Sequence, residues 1–152
     1  MKAISATAIL LLLFTGNVAR AANSMGVGVI IGEPTGICAV KNISDSNSLA
    51  AALAWSLDSN SSLHLHADYL FHRNDLLPLP FYYGIGGRVK LVEDNNNDET
   101  DAHIGLRIPL GVTYLFPDYP VDCFFEIVPL FDLLPGTDFD LNAAIGIRYY
   151  FQ

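Results

Sequence analysis

The sequence predicts an all-β protein, one eight-stranded antiparallel transmembrane β-barrel with a polar, packed lumen, preceded by a cleaved signal peptide. Three observations predict it. The chain opens with an export signal. Its residues are 51% hydrophobic and only 16% charged, yet no segment after that signal is a continuous apolar helix. Apolar and polar residues instead alternate at period two through eight segments. In a bilayer every backbone N–H and C=O must be satisfied within the protein, so strands of this kind cross only as a closed barrel.

Met1 and Lys2 supply the charged start of the signal, Ala8 to Phe14 its apolar run, and Ala19-Arg20-Ala21 a small-residue cleavage site. The run is far shorter than the roughly 20 apolar residues a spanning helix needs. Residues 1–21 therefore read as a signal peptide and 22–152 as the barrel domain, with an uncleaved anchor as the alternative. No cysteine lies near the cleavage site to carry a lipid. Cleavage removes Lys2 and Arg20, which takes the formal net charge from −8 to −10. Such a surface repels nucleic acid.

Turn residues punctuate the alternation and define each element. The first segment, Asn23–Gly32, turns Gly26, Gly28 and Gly32 inward and stops at Glu33-Pro34-Thr35. Asp45-Ser46-Asn47-Ser48 separates the second, Gly36–Ser44, from the third, Leu49–Asp58, which stops at Ser59-Asn60-Ser61-Ser62. The fourth, Leu63–His72, alternates most cleanly: Leu63, Leu65, Ala67, Tyr69 and Phe71 share one face, and His64, His66, Asp68 and His72 the other. Arg73–Pro80 leads to the fifth, Phe81–Glu93. Asp94–Ala102 leads to the sixth, His103–Phe116, with Ile104, Leu106, Ile108, Leu110, Val112, Tyr114 and Phe116 outward. Pro117–Pro120 precedes the seventh, Val121–Leu133. Leu134–Asp138 precedes the eighth, Phe139–Phe151, where Leu141, Ala143, Ile145 and Ile147 oppose Asp140, Asn142, Gly146 and Arg148. Most segments reach the roughly 9 to 11 residues of a tilted transmembrane strand, and an even number returns both termini to one end. A lipocalin-like soluble barrel would invert the two faces, so the face carrying the charges decides between them.

With strand direction alternating, Tyr69, Phe71, Phe81, Tyr83, Tyr114, Phe116, Tyr149 and Phe151 all fall at one rim. That is the distribution of an interfacial girdle, where amphipathic rings sit at headgroup level. Trp55, Phe131 and Phe139 make a thinner girdle at the opposite rim.

The last strand carries a family resemblance. Gly146 is followed by aromatics three and five positions on, Tyr149 and Phe151, and this resembles the C-terminal signal of bacterial outer-membrane β-barrels. Ala144 stands where that class usually has a polar residue, and Gln152 follows the final aromatic. Over the whole mature chain the plan is similar to OmpA- and OmpX-like small barrels. The resemblance implies outer-membrane localisation, contact with outer-membrane lipids, and a monomer. It also implies delivery by periplasmic chaperones to the outer-membrane insertion machinery, with Phe139–Phe151 as the recognised segment and the aromatic rim on the periplasmic side.

Eight strands enclose room for side chains but not for a solute channel. The lumen is expected to hold Asp68, Arg88, Lys90, Arg107, Asp122, Glu126, Asp132, Asp140 and Arg148, together with His64, His66 and His103. Charges there must pair or be hydrated, because an isolated buried ion costs several kcal/mol. Glu126 and Arg148 are expected as diagonal partners, and Arg88 and Arg107 as facing cations with a carboxylate or water between them. Inward glycines, including Gly84, Gly86, Gly105 and Gly111, make room for the long basic groups. Pro109 and Pro129, inside strands, are each expected to mark a bulge or an end of regular pairing. Cys38 and Cys123 fall on strands that are not neighbours and are expected to stay unpaired.

Candidate chemistry is sparse. Ser56 could face His64 across a short hairpin, the distance a base needs to activate a hydroxyl, with His66, His103 and Asp58 near the same rim. A lipid-modifying hydrolase is thus the alternative to a structural or surface-interaction role, with a narrow ion-conducting pore as a third. No G-x-S-x-G elbow is present. His64-x-His66 with Asp68 spans too far to chelate one ion, and Asp132 with Asp140 is the better pair for recruiting a cation. Asp94–Asp101 lacks the glycine and terminal glutamate of an EF-hand and reads as a solvated acidic loop. Nothing in the chain calls for a cofactor.

Overall fold

Period-two alternation becomes nine strand segments among the described residues: β1 (Met25–Gly32), β2 (Thr35–Asn42), β3 (Asn47–Ser56), β4 (Ser62–Arg73), β5 (Phe81–Glu93), β6 (Thr100–Arg107), β7 (Leu110–Leu115), β8 (Val121–Leu134) and β9 (Asp138–Phe151). The structure, a computed structural model, describes residues 24–33, 35–56, 61–93, 99–134 and 136–151. The predicted signal peptide, Asp58 and residues 94–98 of the acidic loop lie outside these.

β1 to β5 pair antiparallel in sequence order, β6 and β7 each pair with β5 and β8, β8 pairs with β9, and β9 pairs with β1, so the sheet closes on itself. β6 and β7 are two halves of the sixth predicted strand. Register against β5 runs from Gly86↔Arg107 to Tyr83↔Leu110 without a shift, and against β8 from Arg107↔Leu130 to Leu110↔Ile127. Eight antiparallel strands therefore make the wall.

The two prolines behave differently from each other. The carbonyl of Pro109 accepts from the Gly84 amide at 2.9 Å and that of Pro129 from the Ile108 amide at 3.0 Å. The N–H and C=O of one strand residue point to the same neighbour, so Pro109 deprives only the β5 side and Pro129 only the sixth strand. Pro109 marks the break between β6 and β7. Pro129 lies where the pairing of β8 with the sixth strand is interrupted, between Arg107↔Leu130 and Leu110↔Ile127, while its ladder with β9 runs on through Pro129↔Leu141. The bulge lies instead between Ile104 and Gly105. β6 also starts before His103: Thr100, Asp101 and Ala102 pair with Glu93, Val92 and Leu91 and do not belong to the loop.

The closure is staggered. Partners of Gly26 can be followed through Val40, Ala50, Asp68, Gly86, Arg107 and Leu130 to Asp140, whereas Gly26 itself faces Tyr150 on β9, 10 residues further along. For eight strands that stagger tilts the chains by roughly 40° to the axis.

The faces are those of an inside-out protein. On β4, Leu63 and Leu65 are 43% and 55% exposed while His64, His66 and Asp68 are 4%, 7% and 4% exposed. Inside, Ile30, Ala52, Ala54, Leu70, Tyr82 and Phe124 form a small apolar cluster. Both ends of the described chain, with the 43–46, 74–80 and 116–120 connections, lie at one end of the barrel, called the near end below; the opposite end is the far end.

Candidate functional site

Ion pairs fill the tube in tiers, and glycines decide which partners meet. Asp68 on β4, Gly86 on β5 and Arg107 on β6 lie in one register row. With no side chain between them, Arg107 Nε reaches Asp68 at 3.0 and 3.2 Å. Arg88, Gly105 and Asp132 form a second such row, closed by a two-pronged contact of Arg88 Nε and Nη2 with Asp132 at 3.1 and 2.7 Å. Tyr82, Gly111 and Glu126 form a third, where the Tyr82 hydroxyl donates to Glu126 at 2.7 Å. Arg107 Nη2 also lies 3.6 Å from Glu126, which links two rows. A Cβ on Gly86 would collide with the Asp68 carboxylate, one on Gly105 with that of Asp132, and one on Gly111 with the Tyr82 ring.

Near the aromatic end, Arg148 and Asp122 are direct register partners and bond through two prongs at 2.9 and 2.7 Å. Tyr150 donates to the same carboxylate at 2.8 Å, and the Arg148 guanidinium lies 4.3 Å from the centre of the Phe124 ring. Arg107, Arg148 and Asp122 are 2%, 5% and 0% exposed. Guanidinium and carboxylate match fork to fork, so each buried charge is both neutralised and hydrogen-bonded, the condition under which such burial is tolerated.

These contacts correct the expected pairing. Glu126 does not partner Arg148; its register partner is Ala144, and its contacts are Tyr82 and Arg107. Arg88 and Arg107 do not face each other, because Gly105 and Gly86 are their partners, and each takes its own carboxylate. The inward glycines admit neighbouring carboxylates and rings, over which the basic groups then reach. Cys38 and Cys123 are both free thiols.

The rim candidates separate. Ser56 faces Ser62 and donates to Glu33 at 3.4 Å, while His64 faces Ala54 and its Nε2 lies 3.1 Å from Ser62 Oγ. The hydrolase reading thereby loses the Ser56–His64 contact on which it rested. His66 faces Arg88 across the β4–β5 ladder. Asp132 is taken by Arg88 and faces Asp138, whereas Asp140 faces Leu130. Among the described residues no group of three His, Cys, Asp or Glu side chains is placed to hold a metal.

Two clefts open at the far mouth. One, of about 470 Å³, is lined by Glu33, Ser56, Ser62, His64, Arg88, Lys90, Asp140 and Asn142 among others. The second, of about 640 Å³, shares Arg88, Lys90 and Asp140 and adds His103, Asp132 and Asp138. Below them a small cleft of about 30 Å³ lies among the ion-paired residues Asp68, Glu126 and Arg148.

On the outer face, the rings of Tyr69, Phe71, Tyr83 and Phe81 run in sequence around the near end, with centroids 5.1, 5.4 and 5.9 Å apart. Tyr114 and Phe116 continue the band at 5.1 Å. Tyr149 and Phe151 complete it opposite Val121 and Met25, and Phe131 meets Phe139 in a tilted contact, centroids 5.2 Å apart, at the far end.

Closure, stagger and an inverted wall decide what this architecture is. The fold is that of the small outer-membrane β-barrels. The N-terminal β-barrel domain of Pseudomonas aeruginosa OprF superposes with a TM-score of 0.72 at 17% identity, covering 86% of this chain and 98% of that one. Neisserial surface protein A (NspA) superposes with a TM-score of 0.60 at 15% identity, covering 84% of this chain and 94% of its own. No family model matches the sequence, and no curated protein matches it. At such identities the likeness is one of fold, that of the outer-membrane barrel.

Proposed function

We propose that the protein is exported by its first 21 residues and stands in the outer membrane as a single plugged barrel, with a structural or surface-interaction role and no solute pore. The observation that carries this reading is the polarity of the wall: every lumen charge points to the axis, while residues such as Leu65, Ile85, Ile145 and Leu141, at 53–59% exposure, point out. A continuous apolar belt of that kind is stable only when lipid covers it. The aromatic near end then faces the periplasm, where chaperones and the insertion machinery handle β9 during assembly, and the far end faces outward. That far rim is acidic, with Glu33, Glu93, Glu99, Asp101, Asp138 and Asp140 among the described residues, which suits surface contact with cationic groups.

Trp55 is the only tryptophan and lies on the outer face at 44% exposure. In vesicles whose acyl chains are brominated its fluorescence is expected to be quenched relative to unbrominated vesicles. Unquenched emission from folded protein would overturn the membrane reading. In planar bilayers no resolved conductance is expected, and discrete steps would overturn the plugged lumen.

A further inference from the structure

The pairing rule of the lumen stops at the far mouth. In three deeper rows a glycine lies between two partners, but in the row His64, Lys90, His103 a lysine occupies the centre and no acid takes part. Among the described residues Lys90 makes no ion pair, and neither do Glu33 and Asp140. All three line the same cleft of about 470 Å³, with His64 and Ser62 beside Lys90 on β4 and β5, and Asp140 and Asn142 on β9. Ser62, His64 and Asn142 are 7%, 4% and 7% exposed, so the floor of this cleft is built from buried polar side chains.

We propose that this cleft binds a small zwitterion, carrying a primary ammonium and a carboxylate or phosphate a few Å apart. Its anionic end meets Lys90 and His64, and its ammonium meets Asp140 and Glu33. A lone cation would satisfy the carboxylates but leave it facing Lys90, and a lone anion the reverse; a ligand with both charges matches both walls. The volume lies within the range of small-molecule sites, and a lining this polar selects a polar ligand. An amino acid or short peptide and a phosphoethanolamine headgroup share this chemistry. The proposal depends on the closed lumen and not on the bilayer reading, so it is tested on detergent-solubilised protein.

Labelled protein would be titrated with glycylglycine, O-phosphorylethanolamine, acetate and methylammonium while NMR signals of Ser62, His64, Lys90 and Asn142 are followed. At least one zwitterion is expected to give saturable shifts confined to these residues, and the one with the lower midpoint identifies the source. Acetate and methylammonium should need concentrations higher by about tenfold or more, and Lys90→Met and Asp140→Asn should each raise the zwitterion midpoint by about tenfold. Dispersed spectra would confirm that each variant folds, and Asp75→Asn at the near end serves as the unaffected control. Absence of saturation with both zwitterions, equal midpoints for either single ion, or an unchanged midpoint in folded Lys90→Met would each overturn the proposal.

Discussion

Strands β1 to β3 turn only small or neutral side chains toward the axis, among them Gly28, Ile30, Cys38, Ala50, Ala52 and Ala54, whereas β4 to β9 supply Asp68, Arg88, Lys90, Arg107, Asp122, Glu126, Asp132 and Arg148. The halves meet around the small interior cleft, where Ile30, Cys38, Ala50 and Ala52 face Asp68, Tyr82, Phe124, Glu126 and Arg148. A tube this narrow cannot hold long side chains from both sides. One half therefore supplies the ions and the other the space and the apolar cover, and the low polarity of that cover is why every deep charge needs a two-pronged or doubled partner.

The sharpest way to break this division is Arg148→Ala. It leaves Asp122, 0% exposed, without its cation, and a loss of about 3–5 kcal/mol is expected in urea unfolding of vesicle-inserted protein. Replacing both partners, Asp122→Leu with Arg148→Met, should recover most of that loss. A single-variant loss below about 1 kcal/mol would mean that water reaches Asp122 and the plug is wet.

Next in size is the glycine rule. Gly86→Ala puts a Cβ against the Asp68 carboxylate and the backbone of β4 and is expected to cost about 1–3 kcal/mol. Gly87→Ala, one residue on, points outward, where the nearest atom is the Gly105 carbonyl oxygen at 3.7 Å, and should be close to neutral in the same unfolding experiment. Equal losses at the two positions would mean that backbone freedom, not lumen space, is what these glycines provide.

How far this was legible follows from which forces are local. Strand existence, facing and the aromatic band are written in period-two alternation, and the predicted segments match β1–β9 to within three residues. The largest boundary difference is at Thr100–Ala102, a polar stretch that reads as loop but pairs through its backbone with Glu93, Val92 and Leu91. Partner choice in the lumen was not legible, because it depends on the stagger of the closed sheet. A register in which His64 faces Ala54 and Ser56 faces Ser62 replaces Ser56–His64 with Ser62–His64, and a shift of four positions turns Glu126–Arg148 into Asp122–Arg148. One usable signal was present in the register rows: a glycine flanked on its two neighbouring strands by hydrogen-bonding partners, as Gly86, Gly105 and Gly111 are.

Tyr82→Phe probes the link between rows. It removes the hydroxyl that donates to Glu126 but leaves Arg107 3.6 Å from the same carboxylate. A loss of about 1 kcal/mol is expected by urea unfolding. A loss approaching that of Arg148→Ala would show that Glu126 depends on the phenol and not on Arg107.

The smallest effect is expected on the quiet half, at Cys38. Its side chain lines the small interior cleft and makes no disulfide, so Cys38→Ala removes one sulfur from a wall that serves as filler, at a cost of about 1 kcal/mol or less. The same geometry explains why oxidation should form no bond between the two thiols of one chain: Cys38 turns to the axis, whereas Cys123, opposite Tyr114 and Ile147, lies on the outer face. Thiol labelling of folded protein in detergent should therefore separate them, with a bulky apolar reagent modifying Cys123 and sparing Cys38. Rapid labelling of Cys38, or a loss on Cys38→Ala as large as that at Gly86, would mean that the small-residue half carries structural strain of its own, and that the two halves of the wall are less unlike than their charges make them.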